Sequence, residues 1–257
     1  MGLLGVHVLG AGAIGSLFAA HLARGGVRTT ILLRGAHPGK MLLRVSRGSQ
    51  LVDEPTVVEV EPSHGPGGPI TTLLVATKAY AAREAVAGVA ARLDHGAPSA
   101  VVLLGNGALA IADELRVPST TSLLVATTTH GAWLDTAEAA RGFNVRHVHH
   151  AGVGKTWVGP LLSSSARTQR ARDQAVVVAA AAFGGGNGID RRAARMAAAE
   201  SRRGERAMRA FAAAGMGAVV EGGEATARRL WLKLASNAVL NPCVTCRWGR
   251  WGGVGGV

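Results

Sequence analysis

The segment Trp231-Leu-Lys233-Leu-Ala-Ser-Asn237-Ala-Val-Leu-Asn241-Pro242 holds one amine and two amides at a spacing of four. At about 100° per residue, successive members of that set drift only about 40° around a helix. Lys233, Asn237 and Asn241 therefore form one polar stripe on an otherwise apolar helix. Such a stripe is costly to bury without partners. It is well suited to a carbonyl acid: the lysine supplies a proton and a positive charge, and the amides grip oxygens and hydroxyls. Arg228, Arg229 and Glu224 already provide the helix with a solvent face, which argues for an inward role for the second polar stripe.

The second chemical signal is Gly10-Ala11-Gly12-Ala13-Ile14-Gly15. It follows a short apolar run and opens a helical pattern, the context in which this glycine spacing binds a dinucleotide. The first glycine permits a tight turn, the second lets backbone approach a pyrophosphate, and the third allows close helix–strand packing. The helix N-terminus offers unpaired N–H groups and a partial positive charge to the anion. An NAD-type site carries an acid after the second strand, to accept from the ribose 2′-hydroxyl. This sequence has no Asp or Glu before Asp53, and its second strand runs into Arg34. A guanidinium there suits a 2′-phosphate, so the expected cofactor is NADP(H).

These groups need a scaffold. Residues 5–9 read as a buried strand, Ser16 to Arg24 as a helix closed by Gly25-Gly26, and Thr29 to Leu33 as a second strand. Strand-like runs follow at 56–60, 72–76, 100–104 and 122–127, with helices expected over 79–93 and 108–115. This alternation predicts an α/β fold: a Rossmann-like, doubly wound and mostly parallel sheet, followed by the start of an all-helical C-terminal domain. Residues 145–150 and 156–159 read as a hairpin pair on the sheet edge, 206–214 as helix, and 217–221 as a last strand. A helix is expected over 224–240, with Pro242 following it. The expected division is a nucleotide-binding domain over 1–222, with a low-complexity Ala/Arg-rich insertion at 163–205, and a helical segment over 223–257.

Composition narrows the classes. The 257 residues are 48% hydrophobic and 17% charged, ample for a buried core. Two cysteines exclude a disulfide framework and fit a reducing compartment. No apolar run approaches the roughly 20 residues of a membrane span. No basic leader precedes the first strand, so a cytoplasmic protein is expected, with an organelle leader outside this sequence left open. The net charge of +12 favours anionic partners. Nine arginines face four acids between Ser163 and Arg206, but without interleaved aromatics, so a solvated insertion is preferred to a nucleic-acid face. The expected partner is a small oxo acid; a homodimer is compatible with the sequence.

Three weaker signals are set aside. Gly152-Val-Gly154-Lys155-Thr156 imitates the end of a phosphate-binding loop but has His149 where that loop needs glycine. Cys243 and Cys246 have no second pair to complete a zinc site. His147, His149 and His150 lie on a strand-like run without carboxylate partners, so no metal is expected.

Read together, six segments resemble the ketopantoate reductases and stand in that family's order. They are Gly10–Gly15; Ala76-Thr-Lys78-Ala-Tyr80; Gly105-Asn106-Gly107; Thr127-Thr-Thr-His-Gly-Ala132; His150 to Gly154, running on to Gly159-Pro160; and Trp231 to Pro242. The resemblance covers residues 5 to about 160 and about 206 to 245. It implies NADPH-dependent reduction of 2-dehydropantoate to pantoate, on the route to pantothenate and coenzyme A. It implies that Lys233 is the general acid, that Asn237 and Asn241 bind substrate, and that Asn106 lies near nicotinamide and substrate. Lys78 and Arg34 would hold the cofactor phosphates, and Ala132 would touch the cofactor through its backbone. Family members continue through further helices after the Asn-Pro pair, whereas Arg247 to Val257 does not match them. The family's later substrate-binding serine and its acid near the cofactor have no counterpart here. The chain is therefore expected to be cut short. Reduction of another oxo acid, or a non-catalytic NADP-binding module, stays open.

Overall fold

The computed structural model describes residues 5–35, 39–47, 50–51, 55–93, 95–97, 99–135, 144–161, 204–207, 210, 215–221 and 223–248. The insertion expected at 163–205 lies almost wholly outside them. Of the helix expected over 206–214, residues 206–207 and 210 are helical and the others fall outside the described set.

The expected β–α–β opening is present as β1 (Gly5–Leu9), α1 (Ala13–Arg24) and β2 (Arg28–Leu33). Then come β3 (Gly39–Arg47), β4 (Gln50–Leu51), β5 (Thr56–Pro62) and β6 (Thr72–Val75). Helices α2 (Ala79–Ala87) and α3 (Ala90–Leu93) replace the single helix expected over 79–93, parted at Gly88 and Val89. The order continues with β7 (Ser99–Leu104), α4 (Ala108–Ala112), β8 (Thr121–Thr128), β9 (Gly131–Leu134), β10 (Val145–Gly152), β11 (Thr156–Pro160) and β12 (Ala218–Val220).

All twelve strands join one sheet, ordered β12-β11-β8-β7-β6-β1-β2-β5-β3-β10-β9, with β4 beside β3. The central run β8-β7-β6-β1-β2-β5 is parallel throughout. This is the Rossmann-like core. Its order reverses between β1 and β6, which opens a crevice at their carboxyl ends. Alternate residues of each central strand serve opposite faces. Ala100, Val102 and Leu104 of β7 join the core around α1. Val101 and Leu103 join the core beneath α2, α3 and α4.

The expected hairpin of residues 145–150 with 156–159 is not formed. β10 pairs with β3 and β9, whereas β11 pairs with β8 and β12. Both segments are strands, but long-range partners win them. β8 and β9 are separated by two residues in the chain yet stand far apart in the strand order. The sheet therefore curls around α1, which touches β1, β2, β3, β5, β9 and β10. Gly15 through Ala20 and Leu22 of α1 are buried as a result. His130 pins the β8–β9 corner. Its Nδ1 accepts from the Gly154 amide at 3.0 Å, so its Nε2–H donates to the Met216 carbonyl at 3.0 Å. His150 Nε2 lies 2.9 Å from the same Nδ1.

The C-terminal helix α5 spans Gly223–Trp248, past the end expected at Leu240. Pro242 lies inside it. A proline there gives up the hydrogen bond to the carbonyl four residues back and crowds that carbonyl, at a cost of about 3 kcal/mol. Side chains beyond Asn237 lie outside the described residues, Asn241, Cys243 and Cys246 among them. No helix among the described residues is long and apolar enough to cross a membrane.

His7 on β1 exposes a pH liability of this core. Burial pushes its pKa down from 6.5 to about 4, only partly opposed by Glu61, while Arg92 and Arg28 add to the depression. The unfolded chain takes up this proton first as pH falls, so stability is intact above about 6.5 and is lost towards 4. The full effect is up to about 3 kcal/mol. Urea unfolding at about pH 7 and about pH 4 is expected to show a smaller acid loss in His7→Gln than in the parent chain. Equal losses would assign the acid sensitivity elsewhere.

Candidate functional site

The glycine loop sits at the reversal of strand order, between β1 and α1. Gly10 has φ +102°, and a Cβ there would meet the Thr77 amide nitrogen at 2.8 Å. A Cβ at Gly15 would lie 1.9 Å from the Gly10 carbonyl oxygen. The loop is thus folded onto itself and onto the end of β6. Gly12 differs: it is exposed, and nothing lies within 4 Å of a Cβ placed there. It caps α1 with extended backbone, makes no side-chain cap bond, and is followed by no acid in the first turn. The first-turn N–H groups of α1 therefore face open space with a partial positive charge. Of the other loop residues predicted to hold cofactor, Ala11 is buried, and Ala13 and Ile14 are half-buried in the first turn.

The parallel strands deliver further groups to the same carboxyl edge. Arg34 is exposed in the turn directly after β2. Lys78 is exposed at the N-cap of α2, after β6. Glu61 is the acid across from Leu32 on the neighbouring strand β5. Its carboxylate is occupied by Arg92 Nη2, while Arg92 Nε also donates to the Gly68 carbonyl at 2.9 Å. No charge-neutralising partner of Arg34 comes from that strand.

Beside the loop lies a cavity of about 160 Å³, lined by Gly105, Asn106, Thr127, Leu230 and Lys233 among others. The two features are neighbours through Thr77, which touches the Gly10 position and whose carbonyl lies 3.8 Å from a Cβ placed at Gly105. The hydroxyls of Thr77 and Thr127 are buried without a hydrogen-bond partner. Neither oxygen is open to the cleft, so each is an internal hydroxyl left unpaired by the packing beneath it.

Helix α5 brings Lys233 to this cavity. Gly159 on β11 permits the approach, since a Cβ there would lie 2.1 Å from Thr226 Oγ1 of the helix. Arg229 clamps the helix: both Glu221 carboxylate oxygens lie 2.7 Å from its Nε, and its guanidinium stacks 4.7 Å over Trp157. Arg229 is therefore an anchor rather than part of a purely solvated face. Lys233 is half-buried, its Nζ donates to the Thr128 carbonyl at the end of β8, and burial pulls its pKa below 10.5. Leu230 is buried beside it, yet Trp231, Leu232 and Leu234 are exposed. Trp231 and Leu234 line the same cavity as Lys233, and Leu232 is exposed outside it.

The structure brings Lys233 and Asn106 together at one cavity. Asn237 is half-buried one turn further along and is not among the cavity's lining residues. Ala132 is in edge strand β9, paired in register with His150 and packed against the core around α1, away from the cavity. The phosphate-loop mimic Gly152–Thr156 runs from β10 into strand β11, not into a helix, which removes it as such a loop.

Sequence reasoning missed Arg146. From β10 its Nη1 donates to the Ala11 carbonyl at 3.0 Å, and its Nε is buried without a hydrogen-bond partner. Burial lowers its pKa. Nothing local signals this contact, because it depends on β10 pairing with β3 and so lying over the glycine loop. The histidines of β10, expected to lack a carboxylate partner, do have one: Asp135 Oδ2 lies 3.8 Å from His149 Nε2. The end of β9, unassigned from sequence, supplies it.

Comparison with known proteins gives the family and the fold. A family model described as ketopantoate reductase PanE/ApbA matches residues 6–163, more than half of the chain. The chain belongs to that family. Its fold is shared with a PanE/ApbA family ketopantoate reductase from Ralstonia eutropha JMP134 (TM-score 0.55, 19% identity, 91% of this chain and 61% of that one). It is likewise shared with 2-dehydropantoate 2-reductase from Methylococcus capsulatus (TM-score 0.55, 18% identity, 95% and 64%). D-mandelate dehydrogenase, solved with NADH and anilino(oxo)acetate, gives a TM-score of 0.59 at 15% identity over 93% and 62%. The chain thus spans 61 to 64% of the length of these family structures.

The glycines separate into two kinds by what surrounds them. Gly15→Ala is expected to lower stability by about 3 kcal/mol or more, because the Gly10 carbonyl must move. Gly12→Ala is expected to stay within about 1 kcal/mol of the parent, the difference between two cap residues. Denaturant unfolding of the two variants checks this; a tolerated Gly15→Ala contradicts the described packing.

Proposed function

We propose that this chain reduces 2-dehydropantoate to pantoate with NADPH. One observation supports this above all: Lys233 is half-buried, with lowered pKa, at a cavity shared with Asn106 beside the glycine loop. On this reading residues 1–222 are the nucleotide-binding domain, and 223–257 begin a helical substrate domain.

The residues present fit such a dinucleotide. The open Gly12 backbone and the α1 N-terminus would receive the pyrophosphate, and Arg34 and Lys78 the 2′-phosphate. Arg146 would add a fixed positive charge behind the loop. Ala132 would contribute a backbone contact. When bound, the reduced nicotinamide supplies the hydride for the ketone carbon. Lys233 holds the proton that the ketone oxygen needs, at Nζ, and its positive charge opposes the negative charge developing there. The Thr128 carbonyl orients that ammonium. Asn106, Asn237 and Asn241 would hold the substrate's carboxylate and hydroxyls.

A second reading, reduction of another 2-oxo acid, draws on the likeness to D-mandelate dehydrogenase with its bound anilino(oxo)acetate. An assay of NADPH oxidation with 2-dehydropantoate beside a panel of 2-oxo acids decides between them.

Lys233→Met is expected to lower kcat by about 10² to 10⁴, the range for a positioned acid, with NADPH affinity little changed. Because the protonated lysine is the active form, the rate is expected to be high at low pH. It should fall as pH rises through an apparent pKa below 10.5, and that limb should vanish in Lys233→Met. Unchanged turnover in the variant, or a rate that rises through the same window, removes Lys233 from this role.

A further inference from the structure

We propose that His147, His149 and Asp135 form a binding site for one divalent transition-metal ion of the zinc class, on the face of the sheet's outer strands turned away from α1.

The placement follows from strand geometry. His147 and His149 are two apart on β10, so both side chains project to one face, while Val148 and His150 between and after them are buried. β9 runs antiparallel to β10, with Trp133 opposite His149 and Leu134 opposite Val148. The next residue, Asp135, donates its amide to the His147 carbonyl at 3.0 Å and so arrives beside the two imidazoles. One ligand atom from each residue lies within 4.8 Å of the others.

Two further features point to a ligand. His149 Nε2 is buried and has no hydrogen-bond partner. It faces Asp135 Oδ2 across 3.8 Å, too far for a hydrogen bond. Two ligands about 2.0 Å from a tetrahedral ion stand about 3.3 Å apart, so small side-chain shifts complete the geometry. The rings are also held from behind. Ser46 Oγ on β3 lies 2.9 Å from His149 Nδ1 and 2.9 Å from His147 Nε2. With Nδ1–H of His149 donating to that hydroxyl, the Nε2 lone pair faces the carboxylate, the arrangement by which an outer partner orients a metal-ligating histidine. Trp133 stacks on His149 at 3.8 Å with 10° between planes and fixes the ring.

Two imidazoles and one carboxylate suit zinc or cobalt, with a position left for water. Arg44 lies opposite His147 in the β3 register, and its cation opposes a dication. Affinity is therefore expected to be micromolar, well short of a structural zinc site. Because the ligands come from β9 and β10, the ion would clasp an edge strand to the sheet and raise the unfolding temperature by mass action.

The test adds cobalt(II) to the untagged, metal-stripped full chain and follows the visible d–d absorption, with zinc(II) as displacing ion. One equivalent is expected to bind, without a thiolate charge-transfer band. Asp135→Asn and His149→Ala are each expected to weaken binding tenfold or more and to abolish the metal-dependent rise in unfolding temperature. Asp135→Asn lies at a strand end, which keeps the test valid if His149→Ala fails to fold. Three results overturn the proposal: no cobalt spectrum at millimolar metal, binding indifferent to both substitutions, or a charge-transfer band lost in Cys243→Ser/Cys246→Ser.

Discussion

The fold is organised by the contact of the glycine loop with itself and with the end of β6. The Gly10 carbonyl lies where any Cβ on Gly15 would have to be, and Thr77 fills the space a side chain on Gly10 would need. This draws the first turn of α1 down onto the sheet at the point where strand order reverses. α1 can then act as the axis around which β3, β9 and β10 curl. The same contact leaves Gly12 as the outward-facing member of the loop, so close packing below the loop produces an open row of amides above it. Arg146 reinforces the arrangement from the curled side through the Ala11 carbonyl.

A second close approach, Thr226 against Gly159, fixes the height of α5 over β11, and the Arg229–Glu221 clamp fixes its rotation. Rotation matters because it decides which residues face the cavity. With Arg229 held over Trp157, Lys233 points to the Thr128 carbonyl. The same rotation sets the exposed side chains of Trp231 and Leu234 in the cavity wall beside Lys233, and leaves Leu232 exposed outside it. A half-buried ammonium whose pKa is lowered by burial, in a cavity walled partly by exposed apolar side chains, is an arrangement that recurs at functional sites.

Much of this was legible in the sequence where the cause is local. The β1–α1–β2 unit is written in a buried run, a glycine spacing and a Gly-Gly stop. β6, β7 and β8 are short apolar runs between helical patterns, which read as strands of a parallel sheet. Lys233 was legible through helical periodicity, and its inward direction through the solvent-facing charges elsewhere on the helix. What was not legible depends on distant pairing. β3 and β9 carry Arg44, Ser46 and Trp133 among apolar residues and give no clean period. β10 and β11, adjacent in sequence, looked like a hairpin because nothing local reveals that each has a remote partner. Arg146 at the loop and Asp135 beside His149 both follow from that one pairing choice. Pro242 misled in the opposite sense, marking an end where the helix continues to Trp248.

The proposed preference for a phosphorylated dinucleotide rests on an edge of the sheet where helix-terminal amides, Arg34 and Lys78 meet no free acid among the described residues. The most direct measurement is a calorimetric titration of the chain with NADPH and with NADH at matched ionic strength, repeated on Arg34→Ala. The account predicts NADPH bound at least tenfold more tightly, with most of that preference lost in the variant. Equal affinities, or tighter binding of NADH, would contradict it.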